Sequence, residues 1–426
     1  MFDSLLNAFR APDIRRRLLY VLGILVVFRF LAHVPVPGVD QAQLATYLQS
    51  NALFGVLDLL SGGGLSSFSV VALGVNPYIN ASIIMQLMTG VVPSLQSLQR
   101  EGEYGRNKIN QYTRYLAVPM ALLQSYGFLA LLNSQGILSS GFDLSNGATL
   151  TQIATLTAGS MTLMWLGELI TEKGIGNGIS FIIFAGIVSR APTAIGGFLS
   201  TPNLPLVIGF ALIAIVSVAV IIYIQEGQRR IPIQYASRVR GRRMYQGGQT
   251  FLPLRVNQAG VIPIIFAISI LLFPQQIASY FTGSEVDWVA KAAQAIVGFF
   301  NPSTIPYVVL YFLLTVGFTY FYTAFTFKPD DTAEQLRKNG GFIPGIRPGR
   351  PTADYLARVV TRITIAGALF LGIVATLPTV LGLFFPSLSG IALGGTGLLI
   401  VVSVIVETMK QIEAQLLMRN YEGFIR

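Results

Sequence analysis

Residues 61–86 read SGGGLSSFSVVALGVNPYINASIIMQ, and this stretch decides the fold. Its first part, 61–73, has only about a dozen residues, whereas a helix needs roughly 20 apolar residues to cross a bilayer. The second part is long enough for a span but carries the amides of Asn80 and Gln86. Irregular backbone and amide side chains are tolerated at membrane depth only where they face protein or a water-filled cavity. We therefore predict that 61–73 folds into a cavity and that the following helix lines one.

The composition is typical of a multi-pass membrane protein. Of the 426 residues, 53% are hydrophobic and only 11% are charged. Ten apolar segments follow along the chain, with the broken pair 61–92 counted as one, so the sequence predicts ten spans. Cysteine is absent, which excludes disulfides and thiolate metal sites, and a single histidine, His33, leaves little room for imidazole chemistry.

The distribution of positive charge predicts the orientation. An even number of spans puts both termini on one side of the membrane. If that side is the cytoplasm, it holds all of the 29 Lys and Arg residues except Arg29, Arg190 and Lys291. Cytoplasmic loops carry such an excess of positive charge. We expect both termini to be cytoplasmic.

Two loops on that side carry more arginine than orientation requires. Loop 225–258 holds Arg242 and Arg243 among its basic residues, and loop 328–362 includes the turn Gly345-Ile-Arg-Pro-Gly349. Loops of this length between spans are usually functional or disordered. Clustered arginines suit docking to an acidic protein surface or to RNA phosphate.

The two halves of the chain resemble each other. The motif Gly74-Val-Asn-Pro77 stands at the start of the helical part of the second span, and Gly260-Val-Ile-Pro263 stands at the start of the seventh. Matching breaks in corresponding spans predict an inverted repeat of five spans each. The predicted halves are 1–200, containing spans 1–5, and 201–426, containing spans 6–10 and both basic loops.

The interior composition favours a wide, weakly selective path. Ion-coupled transporters hold charged groups deep in the membrane, whereas Glu168 and Glu407 fall at cytoplasmic span ends. The sequence contains no recognisable catalytic pair, metal cluster or phosphate-binding loop. We predict a channel, not an enzyme, with no cofactor. A secondary transporter of a small solute is the alternative, and a lipid scramblase or insertase is another.

Several long motifs resemble the SecY family, the central subunits of the bacterial protein-conducting channel. They cover essentially the whole chain: Leu73-Gly-Val-Asn-Pro-Tyr-Ile-Asn-Ala-Ser-Ile-Ile84, Glu172-Lys-Gly-Ile-Gly-Asn-Gly-Ile-Ser180, Val256-Asn-Gln-Ala-Gly-Val-Ile-Pro263, Phe342-Ile-Pro-Gly-Ile-Arg-Pro-Gly349 and Gly397-Leu-Leu-Ile-Val401. The resemblance implies an all-α polytopic fold, with ten transmembrane helices in two pseudo-symmetric halves that form a clamshell around a pore. The implied function is translocation of unfolded polypeptides and lateral release of hydrophobic segments into the bilayer.

The resemblance also assigns residues to three parts of such a channel. The plug, 61–73, includes Gly62, Gly63, Gly64, Leu65 and Phe68, and three consecutive glycines disfavour a stable helix by roughly 1 kcal/mol each. The pore ring comprises Ile79, Ile83, Ile179, Ile183, Ile265 and Ile400. The lateral gate, between spans 2 and 3 on one side and 7 and 8 on the other, includes Asn80, Gln86, Asn257, Ser269 and Phe273.

Partners and location follow from the same resemblance. It implies SecE and SecG as small membrane subunits, the SecA motor ATPase, the ribosome, signal peptides and nascent chains, and the lipid bilayer itself. Arg347 corresponds to the family's motor-loop arginine, and Arg242 and Arg243 are expected to contact ribosomal RNA. The expected location is the bacterial plasma (inner) membrane.

Overall fold

The chain is a bundle of long helices with a small β-sheet at one end. The computed structural model describes residues 11–50, 58, 61–138, 141–143, 145–199, 204–235, 238–240, 243–245, 248–283, 286–302, 304–384 and 389–425. Within these ranges ten long helices, named spans 1 to 10, are Pro12–Leu31, Asn76–Val91, Glu103–Ser134, Gly147–Lys173, Gly178–Leu199, Leu204–Glu226, Ile262–Tyr280, Ile305–Thr326, Arg350–Phe384 and Ser389–Ile425. Shorter helices are Gln41–Ser50, Pro93–Arg100, Asp287–Phe299 and Pro329–Lys338.

Length and hydropathy identify a subset of these helices as membrane spans on their own. In the described part of the chain, five helices pass such a test, and a sixth arises if Asn76–Val91 and Pro93–Arg100 are taken together across their 96° bend. Span 1 also carries a cluster of three arginines, and spans 5 and 6 have shorter described apolar stretches, Gly178–Arg190 and Ala214–Glu226. The bend follows from Pro93, because Val92 before it is held in an extended conformation.

Spans 2 and 7 begin in the same way. Gly74 has φ +61° and Gly260 has φ +65°, a left-handed conformation that favours glycine. Each glycine lies two residues before its helix, and Pro77 and Pro263 occupy the first turn, where a missing N–H costs nothing. The repeated Gly-x-x-Pro motif is therefore a repeated helix start.

The packing of the spans follows an internal pseudo-symmetry. Span 2 packs on 3, 3 on 4 and 4 on 5, while 7 packs on 8, 8 on 9 and 9 on 10. Span 1 contacts spans 4 and 5, and span 6 contacts the corresponding spans 9 and 10. The two halves meet where span 5 packs on span 10 and where span 7 packs on spans 2 and 3. This arrangement is the predicted two-half clamshell.

The two predicted basic loops form one folded body, which we call the extramembrane unit (228–255 and 329–360). Strands β1 (Gln228–Tyr235), β4 (Gln249–Arg255) and β5 (Gly341–Phe342) form an antiparallel sheet in the order β4-β1-β5, and β2 (Arg238–Arg240) pairs with β3 (Arg243–Tyr245). Their apolar side chains share a core: Ile231, Ile233, Leu254, Leu336, Ile343, Leu356 and Val360. The expectation of two separate loops therefore missed a sheet that joins them.

The shared core predicts that damage to one segment loosens the other. Ile233 is buried between the two segments, and truncation of a buried isoleucine to alanine costs about 2–5 kcal/mol. We expect Ile233→Ala to raise trypsin cleavage in both 228–255 and 329–360. Phe251→Ala, at a side chain 53% exposed on the same sheet, is the matched control and should leave cleavage unchanged. Faster cleavage in 228–255 alone would contradict a common core.

Candidate functional site

The predicted ring residues lie on four of the five spans that meet across the two halves. Spans 2 and 7 carry Ile79, Ile83 and Ile265, and spans 5 and 10 carry Ile179, Ile183 and Ile400. Five of the six side chains are buried members of the largest apolar cluster. Ile179 is only half-buried and packs against Gly167 of span 4, at the margin of that cluster. The structure thus brings these isoleucines to one seam between the halves.

The plug is seated in the same cluster. Residues 61–75 form successive turns, and Leu65, Phe68 and Val71 are buried members of that cluster. Phe68 stacks on Phe128 of span 3 with ring centroids 6.0 Å apart, and its φ of +44° is unusual for a side chain of this size. A strained backbone of this kind persists only where its surroundings hold it in place.

The plug glycines permit close approach as well as unusual backbone angles. Gly62 has φ +69°, and a Cβ added there would lie 2.8 Å from Cα of Gly186 in span 5 and 2.9 Å from the Phe28 ring in span 1. Gly63 has φ +87° and lies against the Arg190 side chain. From sequence alone, the glycine run predicts only a weakened helix. The structure adds that it lets the plug backbone pack between spans 1 and 5.

Hydrogen bonds to backbone groups attach the plug to the residues that directly follow span 1. The Val36 N–H donates to the Phe68 carbonyl (2.8 Å), and the Val70 N–H donates to the Val34 carbonyl (3.0 Å). The Ser67 hydroxyl donates to the Ala32 carbonyl at 2.9 Å. These bonds give the irregular plug backbone the partners that lipid would not supply.

An ion pair, which sequence reasoning missed, attaches the plug to span 5. Asp58, almost fully buried, forms a salt bridge with Arg190 and accepts a 2.8 Å hydrogen bond from the Ser66 backbone N–H. Arg190 also donates to the Ser66 hydroxyl (2.8 Å), and Arg29 of span 1 donates to the Gly62 carbonyl (2.6 Å). The sequence does show an acidic residue, Asp58, just before the plug glycines and a basic residue, Arg190, near the end of span 5. These opposite charges could have indicated the pair. We call these residues the plug cluster.

The predicted gate helices are in contact across the two halves. At the end away from the extramembrane unit, the Tyr280 ring of span 7 fills the space where Gly127 of span 3 lacks a side chain. At the other end a Cβ on Gly90 of span 2 would lie 3.8 Å from the Phe321 ring of span 8. Gly127 is therefore a gate contact that the sequence analysis did not single out.

The predicted gate side chains do not all lie together. Asn80 and Gln86 are half-buried on span 2, and Gln86 donates weakly to Ser82 (3.4 Å). On span 7, Ser269 is buried and Phe273 half-buried.

Asn257 lies instead at the mouth of the bundle, in a cavity of about 150 Å³. Among the described residues, spans 5, 6, 8 and 10 and the segment that leads into span 7 line this cavity. Its amide donates to the Gly260 carbonyl (3.1 Å), and its own carbonyl is buried without a partner in the structure.

A second polar connection joins span 6 to span 10 at this mouth. The Gln225 amide donates to the Ser403 hydroxyl, one turn from Ile400. Lys410 forms a 2.9 Å salt bridge with Glu226 and donates to the Gln225 carbonyl at 3.2 Å. Since β1 begins two residues after Glu226, this connection links the extramembrane unit to a helix of the ring.

The predicted docking residues lie in the extramembrane unit or outside the described chain. Arg347 is exposed in a turn whose glycines, Gly345 and Gly349, both have positive φ. The buried Thr352 hydroxyl holds the Arg347 carbonyl at 2.9 Å, which fixes the backbone beneath the exposed side chain. Arg243 lies in β3, paired with Arg240, and Arg242 lies outside the described residues.

Comparison with known proteins identifies the family. The family model described as SecY matches residues 69–409. The chain belongs to the SecY family. A curated relative, protein translocase subunit SecY of Streptomyces scabiei, is 43% identical over 441 residues and covers the whole of both chains. Another from Mycobacterium tuberculosis is 42% identical over 446 residues, again with full coverage of both.

Solved structures show the same fold at much lower identity. One, concerning a SecY plug domain that stabilises the closed state of its channel, matches with a TM-score of 0.65 and 18% identity, covering 93% of this chain and 91% of the other. Sec61 in the canine ribosome-channel complex matches with a TM-score of 0.62 at 18% identity and the same coverage. The ten-span clamshell is thus the SecY fold, and the chain is a multi-pass membrane protein that forms a protein-conducting channel.

The plug cluster predicts a leak when its ion pair is broken. Loss of one partner of a fully buried pair costs about 3–5 kcal/mol. We expect about 1–3 kcal/mol for Asp58→Asn, because the Arg190 side chain is 35% exposed. The closed state should weaken, so that the resting channel conducts ions in planar bilayers.

Two variants separate this effect from general damage. The exchange Asp58→Arg with Arg190→Asp should restore part of the seal by re-forming the pair. Asp287→Asn removes an ion pair whose side chains are 84% and 74% exposed and should leave conductance at the parental level. A seal unaffected by Asp58→Asn, in an assembled complex, would contradict a role for the cluster in closure.

Proposed function

We propose that this channel translocates unfolded polypeptides across the bacterial plasma membrane, with both termini in the cytoplasm, and releases hydrophobic segments sideways between spans 2 and 3 and spans 7 and 8. One observation carries this proposal: all six isoleucines lie on spans that meet across the two halves, with the plug packed into the same apolar cluster. Separating the halves would open a path lined by apolar side chains.

An apolar constriction suits a passing polypeptide. Isoleucines offer the chain no hydrogen-bonding partner to retain it, and a hydrophobic constriction excludes water and ions by dewetting when it is narrow. The six residues Ile79, Ile83, Ile179, Ile183, Ile265 and Ile400 would form this ring, and the plug would cover it from the side opposite the extramembrane unit. The SecY plug domain named above stabilises the closed state of its channel, which supports the same role here.

Lateral release would sort segments by partitioning alone. Each central Leu or Ile favours the bilayer by about 0.5 kcal/mol, so ten of them give roughly 5 kcal/mol. Opening of the contacts between span 7 and spans 2 and 3 would expose a segment in the pore to lipid. No bond is made or broken in this step, so the proposed activity is transport and not catalysis.

We further propose partners for the extramembrane unit and for the membrane surface. SecA would drive post-translational export through Arg347, and the ribosome would dock through the segment that contains Arg242 and Arg243. A Sec61 relative of the same fold is found in a ribosome-channel complex, which supports the second assignment. SecE and SecG would be the small membrane subunits, and signal peptides and nascent chains the cargo.

A secondary transporter is the weaker alternative. Its expected mark is a carboxylate at membrane depth that is available to a coupling ion. The buried carboxylate of Asp58 is instead engaged by Arg190 of span 5 and by the Ser66 N–H of the plug. This arrangement favours a structural role in closure over ion coupling.

The ring assignment predicts relaxed cargo selection. Ile265→Asn or Ile400→Asn places an amide that water can solvate in the buried seam, and we expect the closed state to lose about 1–3 kcal/mol. Each 1.4 kcal/mol raises the open population about tenfold. Export of substrates with defective signal sequences should rise accordingly, as measured by cleavage of a reporter.

Ile405→Asn is the matched control for Ile400→Asn. It lies on the same span, but its side chain is 47% exposed, so it should not change the selection of signal sequences. If Ile400→Asn and Ile405→Asn export defective substrates equally, the ring residues have no special role in gating.

The docking assignment predicts a separation of two activities. Arg347→Glu should abolish SecA-driven translocation into vesicles, and Arg347→Lys should impair it less, because lysine keeps the charge but not the planar fork of donors. Arg242→Glu with Arg243→Glu should mainly weaken ribosome binding, with a shallower salt dependence of the remaining binding because phosphate contacts are lost.

Arg350→Glu is the control, since it reverses an exposed charge three residues from Arg347. Because the segments share a core, trypsin resistance must be parental in every variant before docking is compared. Normal translocation by Arg347→Glu, or equal loss of both activities in both variants, would refute this division of roles.

A further inference from the structure

The helix Asp287–Phe299 lies outside the ring, the plug and the gate contacts described above. It joins the end of span 7 to the start of span 8, at the end of the bundle opposite the extramembrane unit. It packs against span 7, with Ala293 buried in the contact. We call it the connecting helix.

Its residues divide into three faces. One face is buried or half-buried against the protein: Val289, Ala290, Ala293, Val297 and the adjoining Phe300. A second is exposed and polar, with Asp287, Lys291 and Gln294 one turn apart and a 2.8 Å salt bridge between the first two. The third is exposed and apolar, consisting of Trp288, Ala292, Ala295, Ile296 and Phe299. Residues three and four apart share a helix face, so each set is continuous.

The exposed apolar face is too large to be incidental. Trp288 is 74% exposed, Phe299 50% and Ile296 41%. Single exposed apolar side chains need no explanation, but a continuous set with a polar border marks an interaction surface. Tryptophan and phenylalanine are also typical of helices that lie at a membrane interface.

The exposed apolar face of the connecting helix is flanked in the chain by exposed apolar residues at the ends of spans 7 and 8. In a membrane protein such residues on spans face lipid. Span 8 begins with Ile305, followed at helical spacing by the exposed Val309 and Leu313. Near the end of span 7, Ile277 and the capping residue Phe281 are also exposed. The connecting helix lies between these two span ends, so its apolar face is at the level where the bilayer surface meets the protein. A helix with one face on protein, one apolar and one charged suits that boundary.

We infer that the connecting helix lies in the headgroup region of the adjacent leaflet, with Trp288, Ile296 and Phe299 inserted among lipid acyl chains and Asp287 and Lys291 in water. The occupant of the apolar face is lipid. This inference rests on the proposed function and extends it. The connecting helix would anchor the outer ends of spans 7 and 8 to the bilayer, and these spans form one side of the proposed gate. A change in lipid packing in that leaflet would then act on the gate directly.

The absence of cysteine in this chain allows a direct test. Single substitutions Ala292→Cys, Gln294→Cys and Ala293→Cys would carry a nitroxide spin label on the apolar, polar and protein faces, respectively. The complete complex is reconstituted into phospholipid vesicles, and the unsubstituted chain in the same complex gives the background. Accessibility to oxygen, which concentrates in lipid, is compared with accessibility to a water-soluble nickel chelate.

We expect the label at 292 to be several times more accessible to oxygen than to nickel, and the label at 294 to show the reverse. Equal nickel accessibility at 292 and 294 would place the helix in water and overturn the inference. A label at 292 shielded from both reagents, like that at 293, would mean that a protein partner covers the face, and would overturn it as well. Channel activity does not enter this measurement, so failure of the gate proposal would leave its outcome unchanged.

Discussion

Burial of an irregular backbone segment at membrane depth is the constraint on which this structure depends. Residues 61–75 are turns, not helix, and their N–H and C=O groups find no partners in lipid. The end of span 1 supplies backbone partners to Phe68 and Val70, and the Ser160 hydroxyl of span 4 donates to the Gly74 carbonyl at 2.9 Å. Spans 1, 4 and 5 therefore pack around the plug, and the position of span 2 follows because it begins where the plug ends.

Two kinds of contact would close the proposed channel, and they would differ in how they open. The seam between the halves is apolar, made by isoleucines and by ring contacts such as Tyr280 against Gly127. The apolar side chains of the two halves can separate without losing hydrogen bonds, because the lipid or cargo that replaces the opposite half is equally apolar. The plug is different, because Asp58 and Arg190 each lose a charged partner when it moves. In the proposed mechanism a hydrophobic cargo segment would therefore replace the seam contacts, whereas plug displacement would need water or polar cargo to solvate the released charges.

Local patterns in the sequence were sufficient for much of this architecture. Helix starts at Gly74 and Gly260 follow from glycine and proline chemistry within four residues, and the placement of Ile79, Ile265 and Ile400 on seam helices followed from family motifs.

Features that depend on pairing across long separations were missed. The pairing of Gln234 with Phe342 joins two segments about a hundred residues apart, and no local signal in either predicts the other. The sequence shows the opposite charges of Asp58 and Arg190, but only the fold shows that the two side chains meet. Asn257 was assigned to the gate from its position before span 7, whereas the turn at Gly260 directs it to the polar mouth.

The polar connection between spans 6 and 10 gives a physical route from the extramembrane unit to the seam. Glu226 is the last residue of span 6, and its partner Lys410 lies on the same helix as Ile400. The Gln225–Ser403 hydrogen bond is closer still, one helical turn from that isoleucine. A force applied to β1 by a docked partner reaches span 10 through these side chains, while the common core of the unit transmits force applied near Arg347 to the same strand. Partners that bind different segments of the extramembrane unit would therefore act on one helix of the proposed ring.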